Sequence, residues 1–448
     1  MTTQTIWNRG NEPTRIFPAT APPAVVAPDR RPLVYGALVV FAWLYYYRPE
    51  DFIPGLEYIP LAKIAGLFAF IVLALGMLSS LGKVKVPRAV QFLWLLLLQM
   101  TICIPFAIWR GGAFATVADK FSKGVIVAML ISMAVVTVKE LRRLLWIQVS
   151  AVALVVFFSI VFRHYQDGRL LGIQKGILEN PNGLAINVAI SFPLGVAFML
   201  RATGLKKALW AIALAVMALG VVLTYSRAGL LAFLISVMVC VWEYGIKGKR
   251  HYLIGVAVAV LLVGAGIIVA NPHYRARVES IVLGNIEGAE DHGSFDARKE
   301  LLEKSIRVAL THPLVGVGPG CFVLVDKGWV VAHNSYTELA AEAGFPGLIL
   351  FLLALGAAFR NVRRVRKSSN YEDDPEFRLF TQALWAGLAA YVIGACFDST
   401  EYNLYPYFMV GYTCAMVRIA GTSPAARAKS VATPRYANFS RTQPVWNR

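Results

Sequence analysis

Apolar residues run through most of this chain in long unbroken stretches separated by short polar turns. They do not alternate with a period of two, as the strands of a half-buried sheet would. The stretches lie at about 33–47, 60–81, 88–109, 121–138, 143–162, 183–200, 207–224, 228–246, 252–270, 339–359, 379–397 and 404–420. Most come close to the roughly 20 residues with which a helix crosses a bilayer. Helices that are apolar all round face either a large core or lipid. The pattern therefore predicts an all-α polytopic membrane protein with about 12 transmembrane helices. The expected organisation is a tail over 1–31, spans one to nine over 32–270, a long loop over 271–338, spans ten to twelve over 339–420, and a second tail over 421–448. The first tail is Pro-rich, carries Arg9, Arg15, Arg30 and Arg31, and lacks the apolar core of a secretory signal. The first tail is read as disordered, and both tails as cytoplasmic.

Composition agrees with that pattern. Hydrophobic residues make up 57% of the chain and charged residues 16%, against roughly 45–50% and about 25% in soluble domains. This excludes a soluble enzyme. The net charge of +18 would suggest nucleic acid in a soluble chain. Here the basic residues gather in alternate turns instead: Lys83, Lys85 and Arg88; Lys139, Arg142 and Arg143; Arg201, Lys206 and Lys207; Lys247, Lys249 and Arg250; Arg360, Arg363, Arg364, Arg366 and Lys367. Turns of one parity rich in Lys and Arg mark the cytoplasmic side. No nucleic-acid partner is expected, and both tails fall on the same side as these turns. Cys103, Cys240, Cys321, Cys396 and Cys414 lie far apart, with no paired spacing. They read as small packed hydrophobes, not as a disulfide frame or metal site.

The opposite parity carries the long loop, which should face outward, away from the cytoplasm. Ser294 is placed to cap a helix starting near Phe295, with Leu301, Leu302, Ile306, Ala309 and Leu310 as its apolar stripe. His312-Pro313 should stop it, and Gly316, Gly318 and Gly320 should turn the chain.

Ionisable residues at membrane depth are costly and mark functional sites. Arg227 stands in the short break Thr224-Tyr225-Ser226-Arg227-Ala228-Gly229. It reads either as an arginine snorkelling to the interface or as an anion site, in which its fork of donors matches phosphate oxygens and Gly229 admits a close approach. Arg298 reads either as a solvated helix residue or as a second charge on the same anion. His333, at the end of the loop, is a candidate general base, since imidazole changes charge in the physiological range. His164 and His312 compete with it. Asn180-Pro181-Asn182 reads as a helix cap with a proline-set turn, with sugar contact by Asn182 as an added role. No phosphate-binding loop, H-E-x-x-H or G-x-S-x-G motif is present, and no Asp/Glu cluster on the outer face reads as having metal-ligand spacing. No metal or cofactor is expected, so any reaction must use a substrate that is already activated.

The order of these motifs resembles the O-antigen ligase and polymerase superfamily of bacterial inner-membrane enzymes. The resemblance rests on Asn180-Pro181-Asn182, Ser226-Arg227-Ala228-Gly229, a long loop with Arg298 and Pro313-Leu314-Val315-Gly316-Val317-Gly318, then His333-Asn334 with Glu342 and Gly344. It covers residues 180–350 by motif and the rest by topology. The third residue of the family's Ser-Arg-Gly pattern is alanine here, with glycine one place later.

The resemblance implies a C-type glycosyltransferase-like fold. It implies a glycan donor on undecaprenyl diphosphate and, in the ligase branch, a sugar hydroxyl of lipid A core as acceptor. Arg227 and Arg298 would hold the diphosphate and His333 would deprotonate the acceptor. Asn334 and Tyr336 would orient the histidine or the sugar. Direct displacement would invert the anomeric carbon. A polymerase, a ligase for another surface polysaccharide and a protein O-glycosyltransferase are the rivals within the family. A lipid-linked oligosaccharide flippase is the rival of another class.

Overall fold

A computed structural model describes residues 32–51, 58–78, 86–172, 180–270, 292–325 and 330–422. The tails over 1–31 and 423–448, the turn with Lys83 and Lys85, and loop residues 271–291 lie outside these. The described chain is almost wholly helical. Its helices are α1 (Pro32–Tyr47), α2 (Leu61–Leu78), α3 (Arg88–Cys103), α4 (Arg110–Ala115), α5 (Ser122–Ala134), α6 (Val138–Val161), α7 (Pro181–Arg201), α8 (Gly204–Leu223), α9 (Arg227–Cys240), α10 (Tyr252–Ala270), α11 (His292–Thr311), α12 (Ser335–Val365), α13 (Ser369–Asp373), α14 (Pro375–Gly394) and α15 (Tyr405–Thr422). The sole sheet among the described residues is a hairpin of two short strands, β1 (Tyr165–Gln166) and β2 (Arg169–Leu170). Six helices in the described residues are long and apolar enough to cross a membrane. The protein is an all-α membrane protein.

Each apolar stretch contains a helix, but several boundaries move for local reasons. α6 begins at Val138 and not at 143, because Thr137 and Glu140 form a reciprocal capping box. α12 begins at Ser335, before the apolar run, because the Asn334 side chain accepts from the amides of Tyr336 and Thr337. The expected loop boundary at 338 therefore falls inside the first turn of a helix. α12 also continues through Arg360, Arg363 and Arg364, so most of the basic "turn" expected there is helix.

The α11 helix departs from its expected stripe. Ser305, Val308 and Ala309 are buried, whereas Ile306 and Leu310 are 44% and 64% exposed. The cause is what covers the helix: Val308 joins Ala107, Val317, Phe322 and Ala341 in a small core of its own, so the inward face is set by the 313–325 loop and not by the most apolar side chains. The helix ends at Thr311 as the His312-Pro313 pair predicts.

Close helix contacts fix which ends of the bundle meet. α7 and α14 run antiparallel, since a Cβ at Gly394 would touch Ile186 and one at Gly387 would touch the backbone of Ile190. A Cβ at Gly229 would lie 2.1 Å from that of Ala185, which brings the start of α9 to the start of α7. The Ser335 amide donates to the Ala395 carbonyl at 2.9 Å, which brings the start of α12 to the end of α14. All four termini thus lie at one end of the bundle. At the other end, Arg142 on α6 pairs with Glu376 on α14 at 3.2 Å, and Arg366 pairs with Glu243 at 3.0 Å.

Candidate active site

The first part of the site is built where α7 and α9 begin. Asn180 caps α7 by accepting from the Asn182 amide at 2.9 Å, with Pro181 in the first turn. Ser226 caps α9 by accepting from the Gly229 amide at 3.0 Å. The two caps are joined because the Ser226 hydroxyl donates to Asn182 Oδ1 at 2.7 Å. Arg169, on the β hairpin, donates from Nη2 to the same Asn182 oxygen at 3.0 Å and from Nε to the Thr224 carbonyl at 3.0 Å. Tyr225 between them has φ +49°, an unfavourable left-handed backbone for a bulky residue. The bonds on either side hold it there. The result places Arg227, half-buried, as the first residue of α9. Helix N-termini and guanidinium groups both favour anions.

This geometry gives two of these residues a structural role. Gly229 is required by the close packing of α9 on α7 at Ala185. Asn182 is buried with its carbonyl oxygen accepting from two side chains, so it organises the Ser226-Arg227 turn.

The second part is the start of α12. His333 has φ +53°, and its Nδ1 lies 3.7 Å from Asp398 Oδ1, with side-chain exposures of 23% and 7%. Asp398 comes from the polar run Asp398-Ser399-Thr400-Glu401-Tyr402 between α14 and α15. Among the bonds that hold that loop against α12, the Ser335 hydroxyl donates to the Asp398 carbonyl at 2.7 Å and the Asn334 amide group donates to the Cys396 carbonyl at 3.0 Å. Asn334 and Tyr336 are thus engaged by the protein itself, the latter donating to the Val392 carbonyl at 2.9 Å.

Of the competing histidines, His312 bonds locally to the Thr311 hydroxyl at 3.0 Å. His164 precedes the hairpin that carries Arg169 and has a buried Nδ1 with no hydrogen-bond partner. Arg298 is half-buried on α11, whose inner face packs beside α12 through Val308 and Ala341.

The loop after α11 docks on a break in α12. Gly344 has φ +71° and ψ 176°, a region almost confined to glycine. The break strands the carbonyls of Ala341 and Glu342, because Phe345 turns its amide to the Pro313 carbonyl and Pro346 has none. The amides of Val317 and Gly318 satisfy them at 2.8 and 3.0 Å. The Glu342 carboxylate then accepts from the amides of Gly320 at 2.8 Å and Phe322 at 3.0 Å, and from the Tyr402 hydroxyl. Glu342 is the pin that fixes the 313–325 loop.

The fold also assembles an acidic cluster. Glu338 and Glu342 stand four apart on one face of α12, and the fold brings Glu401 to them, so that the three carboxylates place oxygens within 4.8 Å of one another in a buried position. Burial first, and then the charges of Glu338 and Glu342, push the Glu401 carboxyl well above the usual carboxylate range.

Asp398, Arg169 and Glu401 are residues that the sequence reading missed. The polar run between the last two apolar stretches was the available signal for Asp398 and Glu401. Nothing in the sequence pairs Arg169 with Asn182.

Residues 212–352 match the family model described as O-antigen ligase. The match runs from within α8 into α12 and takes in Arg227, Arg298 and His333. No curated protein matches the chain.

Proposed function

Through residues 212–352 the chain belongs to the O-antigen ligase superfamily, and from that premise we propose that it transfers a glycan from undecaprenyl diphosphate to a sugar hydroxyl of lipid A core. The transfer takes place at the periplasmic face of the inner membrane, without a nucleotide. The observation that carries the reading is that two devices stand at one end of the bundle: an arginine at a helix start capped by Ser226, and a histidine facing a buried aspartate.

The chemistry follows from those parts. Cleavage at the anomeric carbon leaves a diphosphate on which negative charge grows. Arg227, at the positive end of α9, stabilises that charge, with Arg298 on α11 as the second donor. His333 takes the proton of the attacking hydroxyl through Nε2, while its Nδ1 faces Asp398. As the imidazole becomes cationic, Asp398 stabilises it and holds the ring orientation. The 3.7 Å separation is longer than a hydrogen bond by roughly 0.7 Å, and such contacts tighten when substrate binds. Attack on the face opposite the diphosphate inverts the anomeric carbon.

The test is product formation by purified protein supplied with a carrier-linked glycan and lipid A core. Wild type should form the conjugate, and His333→Ala should lose roughly 10²-fold or more, the typical contribution of a general base. Product made only from carrier-linked repeats identifies a polymerase. Movement of the donor across vesicles with no product identifies a flippase and rejects the transfer.

A further inference from the structure

We propose that Glu338, Glu342 and Glu401 bind a calcium-like divalent cation, which braces the 395–404 loop against the start of α12. The three carboxylates come from two separate elements, and their oxygens lie within 4.8 Å of one another. Oxygens that share one Ca²⁺, with bonds of about 2.3–2.6 Å, lie at most about 5 Å apart, so the three carboxylates are close enough to hold one ion, and Ca²⁺ tolerates irregular ligand geometry where Mg²⁺ demands a near-ideal octahedron. The donors are all oxygen, the set that hard cations take, with no thiol or imidazole to favour zinc.

The hydrogen bonds show which lone pairs are taken and which remain. Glu342 accepts from two backbone amides and a tyrosine hydroxyl. Glu338 Oε2 accepts from the Ala332 amide at 2.8 Å and from the Ser399 hydroxyl. Backbone amides donate only, so these bonds favour ionised carboxylates. Glu401 is different. It is 1% exposed, and both its carboxylate oxygens lack any hydrogen-bond partner. The neighbouring Ser335 hydroxyl donates to the Asp398 carbonyl instead. A buried carboxylate with two bare oxygens, set against two others that already hold their donors, is the arrangement that a cation completes. Such a cation takes no part in the transfer. It ties the loop that carries Asp398 to the helix that follows His333, and it stands whether or not the glycan transfer is correct.

The experiment uses the full chain, purified in detergent or nanodiscs and stripped with chelator. Tb³⁺ stands in for Ca²⁺, with Tyr402 beside Glu342 to sensitise its luminescence. Saturable Tb³⁺ emission, displaced by Ca²⁺ in the range of roughly 10⁻⁵ to 10⁻³ M, is expected, together with a rise in Tm on adding Ca²⁺. Glu401→Gln should weaken the displacement at least tenfold, a change of about 1.4 kcal/mol. Wild-type protein with neither emission nor a Ca²⁺-dependent Tm overturns the proposal whatever the variant does, and means that the carboxyls share protons instead. Undiminished emission from a folded Glu401→Gln protein overturns it equally.

Discussion

At the scale of single residues, the candidate site depends on side chains that hold other side chains. Asn182 Oδ1 serves Ser226 at 2.7 Å and Arg169 at 3.0 Å, so Asn182→Ala removes an acceptor from a buried hydroxyl and a half-buried guanidinium at once. Leaving a buried polar group unpaired costs about 1–3 kcal/mol. Thermal unfolding of that variant should fall accordingly, and its donor KM should rise because Arg227 loses its fixed origin; an unchanged KM would separate Asn182 from the turn. Arg227→Ala and Arg298→Ala should each lower kcat/KM for the carrier-linked donor by 10²-fold or so, as loss of a preorganised charge does. Unchanged kinetics in both would remove the diphosphate clamp. Arg227 and His333 were legible in the sequence because each interrupts apolar surroundings where polarity is expensive. Asp398 was not, since its partner His333 lies 65 positions earlier in the chain, and tertiary docking, Ser335 on Asp398 and Thr400 and Asn334 on Cys396, brings them together. Asp398→Asn keeps the shape and removes the charge. It should depress the transfer rate with little change in donor KM, and a proportionate rise in KM would make Asp398 a binding residue instead.

At the scale of elements, helix existence was written in the apolar runs, and helix ends were written in caps that only geometry reveals. Thr137 with Glu140, Asn334 and Asp374 each start a helix at a polar residue, outside the hydrophobic window that announced it. The break in α12 was hidden for another reason: Gly344 and Pro346 are tolerated in membrane helices, and the docked loop that repays the break comes from residues 313–320. Gly344→Ala tests this junction. A Cβ there would lie 2.5 Å from the Leu314 carbonyl carbon, in a backbone region that costs a non-glycine residue about 1–3 kcal/mol. The variant should unfold at lower temperature and release the 313–325 loop to protease. A Gly344→Ala protein with wild-type Tm and protease resistance would mean that the junction tolerates a regular helix.

At the scale of the whole molecule, the two ends of the bundle differ in charge, and that difference sets which substrates can reach the site. One end gathers Lys139, Arg142, Arg143, Arg201, Lys206, Lys207, Lys247, Lys249 and Arg250, with Glu376 and Glu243 paired into it. The other gathers the starts of α7, α9 and α12, and with them Arg227 and His333. Short basic connections stay on the cytoplasmic side during insertion, so the end with the site should be the translocated one. Two exposed positions report this directly: Gln166 on the hairpin and Lys206 at the start of α8. With the native cysteines replaced, Gln166→Cys should react with a membrane-impermeant maleimide in cells whose outer membrane alone is permeable. Lys206→Cys should react only after the inner membrane is opened. The reverse pattern would put Arg227 and His333 in the cytoplasm, out of reach of an acceptor presented on the periplasmic leaflet. The proposed transfer would then fail on topology alone, however well the side chains were placed.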